Sequence, residues 1–262
     1  MDPYRSVDYR ISKDTSGGYG TGNNFGNSII PKFLKRTLKK ISEWPPLFAA
    51  YTFSVLRAKG FNVDYERITP KNLDRYDYFI VVSSIVCSET EINEIKRLKK
   101  IGKKIFVIGP FATNMPNLYV SAGATVISGE PEFYFIKNQN FDDDLKKEVI
   151  QVVHDTPLDD LPYPEWNEMN KNFLNIKLYG NHKTIPILAT RGCPFSCAKY
   201  CVYPLQQGNK VRQRSVKKIV DEIEFWKNNH SVTMFVFRDP VFSINKKHTL
   251  ELCEELISRN LK

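Results

Sequence analysis

The sequence predicts an α/β fold, and three observations point there. From residue 45 onward, segments of helical period alternate with short apolar runs. The runs DYFIVVSS and KKIFVIGP are continuous rather than alternating, and small residues stand where they end. Continuous runs suit strands buried on both faces, as in a parallel sheet covered by helices.

Residues 1–44 read as a lead-in. SGGYGTGNNFGNS carries no periodicity and is expected to be flexible, or a loop folded over something else. Its GxG fragments follow no strand, so a dinucleotide fingerprint is set aside. In IIPKFLKRTLKKISEW, Phe33, Leu34, Leu38 and Ile41 form an apolar stripe opposite Lys32, Lys35, Arg36, Lys39 and Lys40. An ordinary surface helix is the expected reading, ahead of a helix lying on a membrane surface.

Residues 45–154 form the first expected domain. LFAAYTFSVLRAKG is a helix ended by Gly60, FNVDYERI a strand, and DYFIVVSS a buried strand. SETEINEIKRLKKIG is a helix with Ser88 as N-cap, Glu91 as its capping-box partner and Gly102 at the C-cap. KKIFVIGP is a strand, MPNLYVSAGA a short helix, TVISGEPE a strand entering a turn, and LKKEVIQVV a helix. The alternation implies a doubly wound sheet of the Rossmann or flavodoxin kind. Ligands of such sheets sit beyond the carboxyl ends of the strands, here Ser83-Ser84, Gly109-Pro110 and Gly129-Glu130. Tight turns call for glycine in any case, so both readings of those positions stay open.

HDTPLDDLPYPEW, with three prolines in eight residues, reads as an extended linker over 155–183. A second α/β unit then runs over 184–262: strand TIPILAT, a cysteine loop, helix SVKKIVDEIEFWKNNH, strand VTMFVFRDP and helix KKHTLELCEELISRN.

A chain of 262 residues that is 42% hydrophobic has material for one or two real cores. Its longest apolar stretch, PPLFAAYTFSVL, stops at Arg57, short of the roughly 18 residues a membrane span needs. MDPYRSVDYR is too polar for a signal peptide, so a cytoplasmic setting is expected. A formal charge of +9 favours anionic ligands, but the basic residues are dispersed, so nucleic acid is not expected as a partner.

The densest chemistry is RGCPFSCAKYCVYP, residues 191–204. It puts Cys193, Cys197 and Cys201 within nine residues of a chain with five cysteines. In a reducing compartment, such a cluster points to metal or redox chemistry. Structural zinc wants a fourth ligand, for which His182, His230, Cys87 and Cys253 are the candidates. An iron–sulfur cluster held by three thiolates leaves one iron free. Both readings, and that of unliganded thiols, remain open on the residues alone.

This stretch resembles the signature loop of the radical S-adenosylmethionine (SAM) superfamily, CxxxCxxC with an aromatic residue before the last cysteine. With the preceding Rossmann-like domain and LDDLPYPEW, the chain is similar to the cobalamin-binding-domain branch over about residues 45–262. Its spacing differs, CxxxCxxxC, one residue longer, with Tyr200 still directly before Cys201. The resemblance implies a Rossmann/flavodoxin-like cobalamin-binding-type domain followed by the first two β/α units of a partial TIM-like barrel. It also implies a 4Fe–4S cluster on Cys193, Cys197 and Cys201 that cleaves SAM reductively. Tyr200 would lie near the adenine or the cluster edge. Asp239 would accept the SAM ammonium, or else cap a helix or loop. Arg212 and Arg214 would meet a carboxylate or phosphate, or else stand solvated.

Cobalamin would rest on Ser83, Ser84, Gly109, Pro110, Gly129 and Glu130 without a histidine ligand, since none of the four histidines sits in a DxHxxG motif. Methyl transfer or radical rearrangement of a small-molecule substrate would follow, with a flavodoxin or ferredoxin as reductant. The methylthiotransferases of the superfamily carry three further cysteines in their N-terminal domain, where this chain has only Cys87. Such barrels have six units and this sequence has two, so a truncated or split product, weak in turnover by itself, is the expectation. The alternative is a non-catalytic iron–sulfur or zinc-binding module.

Overall fold

A computed structural model describes residues 1–3, 10–13, 21–23, 44–67, 69–178, 181–197 and 200–261. The basic helix expected over residues 29–44 lies outside the described residues up to residue 43. Within the lead-in, β1 (Arg10–Ser12) and β2 (Thr21–Asn23) pair antiparallel, and β2 falls inside the glycine-rich stretch expected to be flexible.

Four parallel strands make the first sheet in the order β3-β4-β5-β6: Tyr78–Val82, Lys104–Ile108, Thr125–Ser128 and Val149–Gln151. Alternate side chains along each strand enter opposite faces. Val82, Phe106, Ile108 and Ile127 pack with α1 (Leu47–Ala58) and α5 (Pro131–Lys137). Phe79, Val81, Ile105, Val107 and Val126 pack with α2 (Ser88–Lys100), α3 (Pro110–Asn114) and α4 (Pro116–Val120). With both faces covered, the continuous apolar runs are explained.

Three local expectations are corrected. LKKEVIQVV is not a helix: a single 3₁₀ turn precedes β6, which pairs with β5. Its β-branched Val149 and Ile150 suit a strand, and tertiary pairing overrides the helical period. Residues 61–67 of FNVDYERI join no ladder; Glu66 O accepts from the Asp2 backbone, and the Met1 backbone bonds to β3 at Ile80 and Val82. The residues at the start of the chain therefore lie between that segment and the sheet. Ser88 is the first residue of α2 rather than its cap, and Glu91 turns inward to other partners.

Helix α1 is buried over residues 47–56, nearly all round. One side meets the first sheet, and the other meets Leu158, Leu161, Trp166, Met169, Phe173, Leu188 and Trp226 in the same apolar cluster. The stretch expected as an extended linker is instead three short helical turns, including α6 (Trp166–Met169), packed on α1. Ser54 Oγ accepts from Glu165 N at 2.8 Å, and Arg57 pairs with Glu165 at 2.5 Å, which ties the stretch down.

The second sheet has the order β11-β8-β7, with β8 (His182–Ile187) parallel to β11 (Met234–Phe237) and antiparallel to β7 (Lys177–Leu178). Helices α8 (Val216–His230) and α9 (Lys246–Ser258) cover it through Ile219, Val220, Ile223 and Leu252. Ser215 caps α8 by accepting from Lys218 N. A two-residue ribbon, β9 (Thr190–Arg191) with β10 (Arg212–Gln213), brackets the cysteine loop and α7 (Tyr203–Gln207). Among the described residues no helix is long and apolar enough to cross a membrane.

Candidate functional site

The sequence nominates two places, the carboxyl end of the first sheet and the cysteine loop. At the first, strands β3, β4 and β5 deliver Ser83, Ser84, Gly109 and Gly129 side by side. Ser83 N donates to Ile108 O at 2.8 Å and its Oγ accepts from Ala112 N at 3.0 Å. Gly109 has φ +112°, and a Cβ there would lie 2.8 Å from the Phe48 ring, so only glycine fits between β4 and α1. Pro110 opens α3, and Gly129 N donates to Thr113 Oγ1 at 3.1 Å. Ser84 donates through both N and Oγ to the Glu91 carboxylate, each at 3.1 Å.

Glu91 is the hub of a buried polar cluster that sequence reasoning missed. It also accepts from Tyr119 Oη at 2.6 Å and pairs with Lys13 Nζ at 3.0 Å. Lys13 in turn pairs with Asp2 at 2.7 Å and donates to Val82 O at 2.8 Å. Burial pushes the Glu91 carboxyl above its ordinary value, against Lys13 and the Tyr119 hydrogen bond. Burial would lower the Lys13 ammonium, but Asp2 and Glu91 outweigh it and hold it charged. The nominated serines and glycines are thus brought together, with their polar atoms taken up by internal partners.

Glu130 belongs to the other place. It is 1% exposed and meets three basic groups: Arg191 Nη1 at 2.8 Å, Arg212 Nη2 at 2.5 Å and His154 Nδ1 at 2.7 Å. Arg191 also pairs with Glu132, and its guanidinium lies 4.9 Å from the Tyr51 ring centroid. Burial pushes Glu130 up, yet Arg191, His154 and Arg212 together hold it below the ordinary carboxyl value. Arg212 therefore meets a carboxylate of the protein itself. Arg214 is buried rather than solvated, paired with Glu222 at 2.6 Å and donating to Leu188 O at 2.9 Å.

The cysteine loop leaves β9 at Arg191. Gly192 has φ +90°, and a Cβ would stand 2.1 Å from Lys210 O. Gly192 N donates to Gln207 Oε1 and Cys193 N to Gly208 O, both at 3.1 Å. The base of the loop is therefore fixed and Cys193 is buried. Beyond it the chain opens: Cys197 is exposed, Cys201 half-buried, and Tyr200 is 71% exposed, its N donating to Cys197 O. Residues 198 and 199 are outside the described residues.

Asp239, at the end of β11, accepts from Ala189 N, Thr190 N and Thr190 Oγ1 through one oxygen. Its other oxygen is buried with no hydrogen-bond partner among the described residues. Burial raises its pKa, against those hydrogen bonds.

Three thiols on one accessible loop are the right donors for iron or zinc. Among the described residues, however, no group of three Cys, His, Asp or Glu stands close enough to hold a metal. The donor set fits such a group in chemistry, and the exposed Cys197 and half-buried Cys201 would have to close on the buried Cys193.

No family model matches the chain. It is 25% identical to the anaerobic magnesium-protoporphyrin IX monomethyl ester cyclase of Cereibacter sphaeroides, over 89% of this chain and 43% of that protein. The corresponding cyclase of Rubrivivax gelatinosus is 33% identical over 43% of this chain and 20% of its own. The bacteriochlorophyllide d C-12(1)-methyltransferase of Chlorobaculum tepidum is 26% identical over 77% and 45%. The chain spans less than half the length of these relatives. It is a distant homologue of these cyclases and methyltransferases.

Proposed function

We propose that the chain is part of a radical SAM enzyme with a cobalamin-binding-type first unit, acting in the cytoplasm by methyl transfer or radical rearrangement on a small molecule. One observation carries the reading: Cys193, Cys197 and Cys201 share a single loop that leaves the short β9 just after β8, the first strand of a parallel pair. Distant homology to methyltransferases and cyclases supports it. When bound, a 4Fe–4S cluster supplies the electron that cleaves SAM, drawn from a flavodoxin or ferredoxin.

The chain's own residues prepare that place. Gly192 and Gln207 fix the loop base, so Cys193 enters already ordered and only the exposed part must move. Asp239 offers a desolvated carboxylate oxygen at the end of β11, where an ammonium would relieve its lack of a partner. Tyr200 offers an exposed ring beside the last thiol, suited to stacking on a planar base. Arg212 and Arg214 act from behind, as partners of Glu130 and Glu222. Cobalamin, if held by the first unit, would displace internal contacts of Ser83, Ser84 and Gly109.

Anaerobic reconstitution with iron and sulfide tests this. The expected result is roughly four irons per chain, a broad visible absorbance, and loss of both after Cys197→Ser. Release of 5′-deoxyadenosine on reduction with SAM present supports the enzyme reading. A colourless protein with one zinc per chain and no iron points instead to a non-catalytic binding module.

A further inference from the structure

Two carboxylates of the first unit reach across to the residue that opens the cysteine loop. Gly129 and Glu130 lead from β5 into α5, whose first residues are Pro131 and Glu132, and both glutamates are buried. Arg191, 3% exposed at its side chain, lies between them and between the rings of Tyr51 and Phe133, whose centroids are 4.9 and 5.8 Å away. Arg212 also pairs with Glu130, and His154 Nδ1 lies within hydrogen-bond distance of it.

Such a cluster is a poor way to gain stability. Taking charges out of water costs several kcal/mol per ion, and apolar side chains of similar volume are often as stable or more so. What an ion-pair set does give is one geometry: Arg191 Nη1 donates to Glu130 and pairs with Glu132, and the N–H bonds of a guanidinium point only in its plane. That geometry is passed on with little loss. Cys193 is two residues from Arg191, and the intervening Gly192 is pressed against Lys210 O.

We propose that Glu130 and Glu132 are positioning residues for the cysteine loop, acting through Arg191 to hold the Cys193 thiol in one orientation. As far as that thiol is a cluster ligand, the proposal rests on the function proposed above. It couples the first unit to the thiols through a path of three side chains and one glycine.

The test begins on the metal-free full chain. Iodoacetamide labelling followed by peptide mass spectrometry reads each cysteine separately. Cys197 is exposed and labels fast, while Cys193 and Cys87 are buried and label slowly. Cys87, in the first unit and away from the cluster, reports whether the fold is intact. In Glu130→Gln the Cys193 rate is expected to rise about tenfold, equal to about 1.4 kcal/mol of local opening, with Cys87 unchanged. Glu132→Gln removes the charge of the second carboxylate at Arg191 Nη1, and the same selective rise is expected.

If Cys193 stays protected in both variants, or opens in step with Cys87 in both, the proposal is overturned. In reconstituted protein, Glu130→Gln is expected to retain iron but lose the change that SAM produces in the spin-resonance spectrum of the reduced cluster; an unaltered change overturns the proposal as well. Should the unmodified chain take up no iron, the functional reading fails while the labelling ratio still decides the positioning.

Discussion

The two sheets finish differently at their carboxyl ends. Beyond β3, β4 and β5, Ser83, Ser84, Gly109 and Gly129 are closed in by Thr113, Glu91, Tyr119 and Lys13, every named hydrogen bond being internal. Beyond β8, the base of the loop is fixed, but Cys197 and Tyr200 face solvent and one oxygen of Asp239 has no partner among the described residues. The first end is finished as packing, whereas the second is finished only up to Cys193. Buried polar groups that are satisfied resist change, whereas an exposed thiol is held by few neighbours.

The largest expected effect sets the two ends against each other. Glu91→Ala leaves Ser84 and Tyr119 without their acceptor and removes one of the two carboxylates from Lys13, so a loss of about 3 kcal/mol is expected. Cys197→Ser, at an exposed position, is expected to change metal-free stability by less than about 0.5 kcal/mol. Urea denaturation followed by tryptophan fluorescence measures both. Equal losses would mean that the loop is packed as tightly as the sheet end.

The same contrast explains what could be read from the sequence. The strands at Tyr78–Val82, Lys104–Ile108 and Thr125–Ser128 were legible because burial on both faces writes itself as a continuous apolar run. The thiol trio was legible because its spacing is local. Glu91 looked like a capping-box partner because Ser88 stands three residues before it; its real partners, Lys13 and Tyr119, are far away along the chain. Arg191 to Glu130 spans 61 residues, and no local pattern signals such a pair. The one available hint was a proline flanked by two glutamates, GEPE, at a strand end. LKKEVIQVV misled because three or four residues of β-branched sequence are outvoted by a helical period until a neighbouring strand is present.

An intermediate effect is expected at two glycines that share one backbone state. Gly109 (φ 112°, ψ 175°) and Gly208 (φ 84°, ψ 169°) both lie where side chains are strained by about 1–3 kcal/mol. At Gly109 an added Cβ meets the packed Phe48 ring at 2.8 Å; at Gly208 it meets the partly exposed His154 ring at 3.2 Å. Gly109→Ala is therefore expected near the upper end of that range and Gly208→Ala near the lower, by the same denaturation measurement. The reverse order would place the rigid packing at the loop.

The smallest effects differ in sign rather than size. Burial holds Glu91 above the ordinary carboxyl value of 4.5, so the folded chain keeps that proton longer than the unfolded chain. Its contribution to stability is complete below pH 4.5 and declines as pH rises through the folded value. Glu130 has the same ordinary value, 4.5, and is held below it by Arg191, His154 and Arg212 against its burial. Its contribution is present above pH 4.5 and is lost as pH falls through the folded value. Glutamine at either position cannot titrate. Relative to the unmodified chain, Glu91→Gln should therefore gain as pH rises from acid to neutral, while Glu130→Gln should fall behind. Denaturation midpoints taken on both sides of pH 4.5 measure both differences, that at Glu91 developing above it and that at Glu130 below it. If the two curves ran in the same direction, the two ends would have to be alike in how they hold a charge: either Lys13 would dominate burial at Glu91, or the three basic groups would fail to offset burial at Glu130.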